Sequence, residues 1–176
     1  MSIEIIKQTF RLAKAAREKH EDEISEAYKF TRPNRDIWRN RESDTDRTKI
    51  FDSTAPDSVQ NLVSTILNLL IPQNQQWATL SIREDVKEEI ASDVKRLLDR
   101  ANRTVFKTIR DSNFYIAASE SLTDAVISGC GAIGLYETDT DIEFIGIPTY
   151  QLYFLDDYKG EVDTVFRQHA LSAQYI

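Results

Sequence analysis

Ile3, Ile6, Phe10 and Ala13, then Ile24, Ala27 and Tyr28, recur at helical spacing among charged residues of both signs. This predicts one long amphipathic helix from Ile3 to Phe30, solvated around Arg17 to Glu26 and stopped by Pro33, which removes a donor and restricts Arg32. Asn40 to Thr54 has neither helical nor strand period and reads as a surface loop. Thr54-Ala55-Pro56-Asp57 then carries three helix-start signals: a capping hydroxyl, a proline tolerated in the first turn and an early carboxylate. After them Val59, Leu62, Val63, Ile66, Leu67, Leu69, Leu70 and Ile71 cover more than one face, and no charged residue lies between Asp57 and Arg83. The expectation is a helix at the domain centre with Leu62, Ile66 and Leu70 in the core, each worth roughly 2 kcal/mol if buried. Pro72 ends it, and Trp77 to Ile82 alternates like a strand.

From Glu84 to Asp111 one apolar seam runs through Val86, Ile90, Val94, Leu97, Leu98, Ala101, Val105 and Ile109, the mark of a long two-faced helix. Ser112-Asn113 interrupts it, and Phe114 to Ser128 resumes as a more buried helix. Beyond Gly129 the period becomes two: Ala132 to Glu137, Ile142 to Ile147, Gln151 to Leu155 and Val162 to Gln168 read as short strands of an antiparallel meander. Helices first and a meander after them make the fold class α+β. Leu171 to Ile176, with Ser172 as a cap, reads as the start of another helix, so the chain is expected to be the front of something longer. Residues 1–50 are expected to form an N-terminal helix and Arg-rich loop, and 51–176 an α/β domain.

Composition narrows the class. With 176 residues, 41% apolar and 29% charged, the chain can hold a core and is too polar for a membrane protein. A single Cys excludes a disulfide framework, and Met1 to Glu4 open no signal peptide, which points to a soluble protein made in reducing surroundings. Net charge is −7, unevenly spread: residues 1–50 carry 12 basic and 10 acidic side chains, whereas 113–176 carry 2 and 10. That last third would repel a phosphate chain, although screening over about 8 Å leaves room for a local basic cluster elsewhere.

Little in the chain resembles a reactive centre. Gly129 to Gly134 spells GxGxxG, but it follows a helix and opens a strand, the reverse of a dinucleotide site, so Gly129 reads as a helix end and Gly131 as close backbone packing. Cys130 reads as a small buried apolar residue, because His20 and His169 are poorly placed to act as its base. The acidic residues from Asp139 to Asp163 read as solvated turns without the ligand ladder of a calcium loop. No cofactor is implied. The strongest candidate is Arg32, Arg35, Arg39, Arg41, Arg47 and Lys49, interleaved with Phe30 and the structural Trp38, since arginine forks and aromatic faces suit phosphates and bases. Asp36, Glu42, Asp44 and Asp46 fall in the same run, so three readings stand: nucleic-acid contact, subunit contact and solvated loop.

Segment order adds one resemblance. Tyr28 to Pro33 leads through a polar linker to Asp52-Ser53-Thr54-Ala55-Pro56, then to the apolar helix Val59 to Pro72 and to Gln76-Trp77-Ala78-Thr79-Leu80. Phe114-Tyr115 leads into Glu120 to Gly131, the strand Ala132 to Glu137, Pro148 to Tyr153, and Asp156 to Arg167. This order resembles the N-terminal region of the portal, or head-to-tail connector, proteins of short-tailed bacteriophages. The resemblance implies the wing of a dodecameric ring at one capsid vertex. Double-stranded DNA passes through its axis, and it meets major capsid and scaffolding proteins, the packaging terminase and tail adaptor proteins, with no membrane and no covalent chemistry. Stem, clip and crown would follow Ile176. An independent nucleic-acid-binding module on Arg32 to Lys49 is the alternative.

Overall fold

A computed structural model describes residues 2–32, 52–81, 88–138 and 141–169, with the side chains of 88–91 left aside. Along the chain lie α1 (Ile3–Glu18), α2 (Glu21–Thr31), α3 (Thr54–Leu70), α4 (Glu88–Asp111), α5 (Phe114–Ser128), β1 (Ala132–Glu137), β2 (Ile142–Ile147), a 3-10 turn (Thr149–Gln151), β3 (Leu152–Asp156) and β4 (Val162–Arg167). The fold is α+β, and no helix among the described residues is long and apolar enough to cross a membrane.

The single helix expected over Ile3 to Phe30 is two helices. The chain turns at Lys19-His20, where the His20 N–H bonds to the Arg17 carbonyl at 2.9 Å. Glu21, Asp22 and Glu23 then fill the first turn of α2, where the positive end of the helix dipole favours them. The break lets the two halves serve different neighbours. On α1, Phe10 stands edge-on to Tyr153 and Phe166 of the β3–β4 hairpin, at 5.1 and 5.5 Å between ring centres, while α2 packs on α5 and α3.

Helix α5 is the hub, touching α2, α3, α4 and both strands of the first hairpin. Its buried face is Ala117, Ala118, Ser121 and Asp124, small side chains that let neighbouring backbones approach closely. Helix α3 lies against this hub, but its burial differs from expectation. Val63 is its one buried residue and Ile66 is half-buried, whereas Leu62 (49%), Leu69 (75%) and Leu70 (66%) are exposed. Leu62 and Leu70 therefore do not belong to the core of this subunit. A helix apolar all round reads as central, yet α5 and α2 cover only part of it.

Two more expectations change. Residues 77–81 join no strand ladder: the Asn102 side chain of α4 receives the Leu80 N–H at 2.8 Å and donates to the Leu80 carbonyl at 3.2 Å, occupying both groups that a neighbouring strand would use. The four C-terminal strands form two separate antiparallel pairs rather than one meander. β1 pairs β2 from Ala132↔Ile147 to Glu137↔Ile142, and β3 pairs β4 from Leu152↔Arg167 to Asp156↔Val162. Pro148, which has no N–H to give a ladder, and the 3-10 turn after it lead the chain from the first hairpin to the second. The helix start expected at Leu171 lies outside the described residues.

Candidate functional site

A buried polar knot joins the helices to the second hairpin. Asp124 is fully buried on α5 and accepts the Tyr28 hydroxyl of α2 at 2.9 Å. One turn further along α5, Ser128 lies 3.0 Å from the hydroxyl of Thr149, and that hydroxyl donates to the Cys130 carbonyl at 2.9 Å. From α1, Arg17 donates through Nη1 to the carbonyls of Thr149 (2.9 Å) and Leu152 (2.7 Å), and its guanidinium lies 5.0 Å from the centre of the Tyr153 ring. Groups from α1, α2, α5 and the 3-10 turn thus hydrogen-bond one another, which fixes their relative positions.

Burial here favours the neutral forms of Tyr28 and Cys130. Burial foremost, with the Asp124 charge adding to it and the Thr149 hydrogen bond opposing it, pushes the Tyr28 hydroxyl up to about 12. Burial also pushes the Cys130 thiol up, the Arg17 charge opposing and the Asp124 charge adding, so it is protonated at neutral pH. A thiol held in that form is a poor nucleophile. Among the described residues no three His, Cys, Asp or Glu side chains converge as metal ligands. A cavity of about 170 Å³ between α3 and α5, lined by Ser64, Leu67, Asn68, Ile71, Gln73 and Tyr115, is smaller than the roughly 300 Å³ at which ligand pockets begin.

The outer surface offers more. Ile3, Ile5 and Leu12 on α1, Leu62, Leu69 and Leu70 on α3, and Leu97 and Val105 on α4 are exposed, whereas the buried apolar residues among those described are Ala13, Val63, Ala117, Ala118 and Leu152. Opposite its apolar seam, α4 carries Arg96, Arg100, Arg103, Lys107 and Arg110, all exposed, at spacings of four and three that put them on one face. Counting the seam found the helix but passed over this stripe, which was visible as a repeat of charge sign. The β1–β2 hairpin presents Glu137, Asp141 and Glu143 to solvent and carries no Lys or Arg.

Of the arginine-rich candidates, Arg32 is described: it is half-buried at the end of α2, and its Nη1 is enclosed without a hydrogen-bond partner among the described residues. Arg35, Trp38, Arg39, Arg41, Arg47 and Lys49 lie outside the described residues. Pro72 follows the end of α3 and is half-buried. Trp77, also half-buried, stacks on Phe114 at 5.9 Å and meets Phe106 edge-on at 5.4 Å, which ties the segment after α3 to α4 and α5. Gly129 ends α5 at φ +77°, and a side chain at Gly131 would strike the backbone of Ser121.

The arrangement thus holds helices and hairpins in register and displays apolar and charged faces outward. No curated protein matches the chain. Residues 4–176 match the family model of the bacteriophage head-to-tail connecting proteins, and with all but its first three residues matched the chain belongs to that family.

Proposed function

We propose that this chain forms the wing of a portal subunit, twelve copies of which close into a ring at one capsid vertex. Double-stranded DNA enters through the ring during packaging and leaves through it at ejection, and the tail is attached there. Family membership places the protein at the junction of phage head and tail. The observation that carries the finer reading is the outward display of Ile3, Leu12, Leu62, Leu69 and Leu97 on three helices, beside few buried apolar side chains among the described residues. Large apolar side chains left in water on several helices are what a neighbouring subunit would cover, and burying them would add the apolar area the single subunit leaves exposed. The role is structural rather than catalytic, with α1 and α2 acting as part of the same wing as residues 51–176, because α1 packs on β3. The major capsid and scaffolding proteins, the terminase and the tail adaptors are the proposed partners, met in the host cytoplasm during assembly.

Electron microscopy of the protein recovered from its particle tests this reading. The expected result is a closed ring with an axial hole; a compact monomer from intact particles would overturn it. The alternative of a free-standing nucleic-acid module on Arg32 to Lys49 gains no support from Arg32, which is half-buried with its Nη1 enclosed.

A further inference from the structure

The basic face of α4 and the acidic end of the first hairpin belong to one chain, yet they do not meet within it. Arg96 and Arg110, the ends of the stripe, are fourteen steps apart along α4, about 21 Å at 1.5 Å per residue. Arg96 pairs with Asp93, and Arg110 lies 4.0 Å from Asp111. Arg100, Arg103 and Lys107, in the middle of the stripe, make no ion pair among the described residues. Asp99, one turn before Arg103, stands at the stripe's edge and does not pair with it. On the hairpin, Glu137, Asp141 and Glu143 are exposed and no cation lies within Ala132–Ile147. The described residues on either side of the turn are hydrogen-bonded to each other. The Thr138 hydroxyl donates to the Asp141 carbonyl at 2.8 Å and accepts the Asp141 N–H at 3.0 Å, and Asp141 Oδ1 accepts the Ile142 N–H at 3.0 Å.

We propose that the stripe Arg100, Arg103 and Lys107 on α4 of one copy docks the acidic end of the β1–β2 hairpin of the next copy, forming a charge-matched head-to-tail contact. Three arguments select a second copy of this chain as the occupant. The stripe is cationic throughout, so two-fold pairing of the stripe with itself would repel, whereas a contact joining two different faces of identical subunits is the kind that closes into rings of more than two copies. The complementary face is present on the same chain at a separate element. The register pairs Glu143 with Tyr136 and Glu137 with Ile142, so the two carboxylates flank opposite faces of the hairpin, and Arg100 and Lys107, about 10.5 Å apart along the helix, can each meet one of them. A polyanion such as DNA would find the same cations, but it would do so against a chain of net charge −7 whose last 64 residues carry 10 acidic and 2 basic side chains.

The contact rests on the ring reading and is tested apart from it in the full-length protein by charge reversal and mixing. Arg103→Glu with Lys107→Glu, and separately Glu137→Lys with Glu143→Lys, should each weaken self-association at least tenfold at physiological salt, because like charges then face one another at every contact. Mixed in equal amounts, the two variants should assemble again as an alternating ring, since every contact between unlike neighbours is then of opposite sign. Rescue by mixing also shows that both variants fold, and the neutral Arg103→Gln, Lys107→Gln pair should weaken association in the same direction but less. Wild-type protein that assembles while both reversed variants assemble equally well, or while mixing fails to rescue them, overturns the contact and leaves the ring reading standing. Loss of DNA retention on a filter with assembly intact in the α4 variant overturns it in favour of a phosphate-binding face. A wild-type protein that stays monomeric overturns both.

Discussion

Tyr28 donates its hydroxyl to Oδ1 of Asp124 across 2.9 Å, joining α2 to α5 over 96 positions of sequence. Asp124 is fully buried, so removing that donor takes a hydrogen bond from a carboxylate that water does not reach. Tyr28→Phe should lower stability at pH 8 by about 1–3 kcal/mol, the cost of weakening a buried polar network. The pH dependence carries a sign. The Tyr28 hydroxyl is raised from 10.0 to about 12, so above pH 10 the unfolded chain has lost a proton that the folded chain keeps. The stabilisation is therefore complete below pH 10 and is lost as pH rises towards 12, an effect on the order of 1–2 kcal/mol once partial solvent screening is allowed for. Urea unfolding at pH 8, 10 and 11.5 should show the gap between wild type and Tyr28→Phe shrinking with pH; a constant gap would mean that Tyr28 does not hold its proton there.

Two glycines around α5 should respond to alanine for different reasons. A Cβ at Gly131 would fall on the Ser121 carbonyl oxygen and 2.8 Å from its Oγ, so β1 or α5 must move; the expected cost is about 2–4 kcal/mol. At Gly129 the space is open, but φ is +77°, and alanine should cost only about 1 kcal/mol. Thermal unfolding of both variants checks the order. Gly129→Ala proving the more damaging would mean that the close approach of β1 to α5 relaxes without cost.

Arg17 binds two carbonyls of one loop, and that pairing predicts a substitution hierarchy. Lysine can reach a carbonyl but lacks the planar fork and the stacking on Tyr153, while methionine keeps the aliphatic stem and donates nothing. Arg17→Met should cost about 2–3 kcal/mol and Arg17→Lys about half of that, since the Thr149 and Leu152 carbonyls lose a charged donor wholly or in part. Chemical denaturation gives both values, and equal losses would leave the guanidinium geometry without a role.

The legible parts of the fold carry their signals within a few residues. Pro56 and Asp57 mark the first turn of α3, although its cap position is Ser53 rather than Thr54, with Asp52 Oδ1 receiving the Thr54 N–H at 3.0 Å and the Ser53 hydroxyl donating to Asp57 at 2.8 Å; Gly129 closes α5; and period-two patterns mark all four strands. The break at Lys19-His20 has no Pro or Gly to announce it and follows from two docking partners that only the tertiary structure supplies. The Asn102 clamp on Leu80 is a contact over 22 positions, invisible to any local period. For the candidate site, the arginine-rich run drew attention by density, and its members from Arg35 to Lys49 lie outside the described residues. The stripe on α4 was equally present in the sequence, but a helix read only for its apolar seam does not reveal the sign of its other face. Asp124 is the one acid between Glu120 and Ser128, but no local period marks it as buried or reveals its partner Tyr28.

The exposed leucines of α3 separate folding from assembly. Leu69 stands 75% exposed, so Leu69→Ser removes almost no buried surface from the subunit and should change its stability by no more than about 0.5 kcal/mol. Val63, fully buried six residues earlier on the same helix, should cost about 1–3 kcal/mol as Val63→Ala through lost contacts and a cavity. In a ring whose neighbours cover α3 the order reverses: Leu69→Ser and Leu62→Ser should reduce assembly several-fold, while Val63→Ala, once folded, should assemble normally. Urea unfolding of the subunit and sedimentation of the assembled protein, measured on the same three variants, distinguish the two effects. Unchanged sedimentation for both serine variants would remove the outer face of α3 from the subunit interface and leave α1 and α4 as the surfaces that join neighbours.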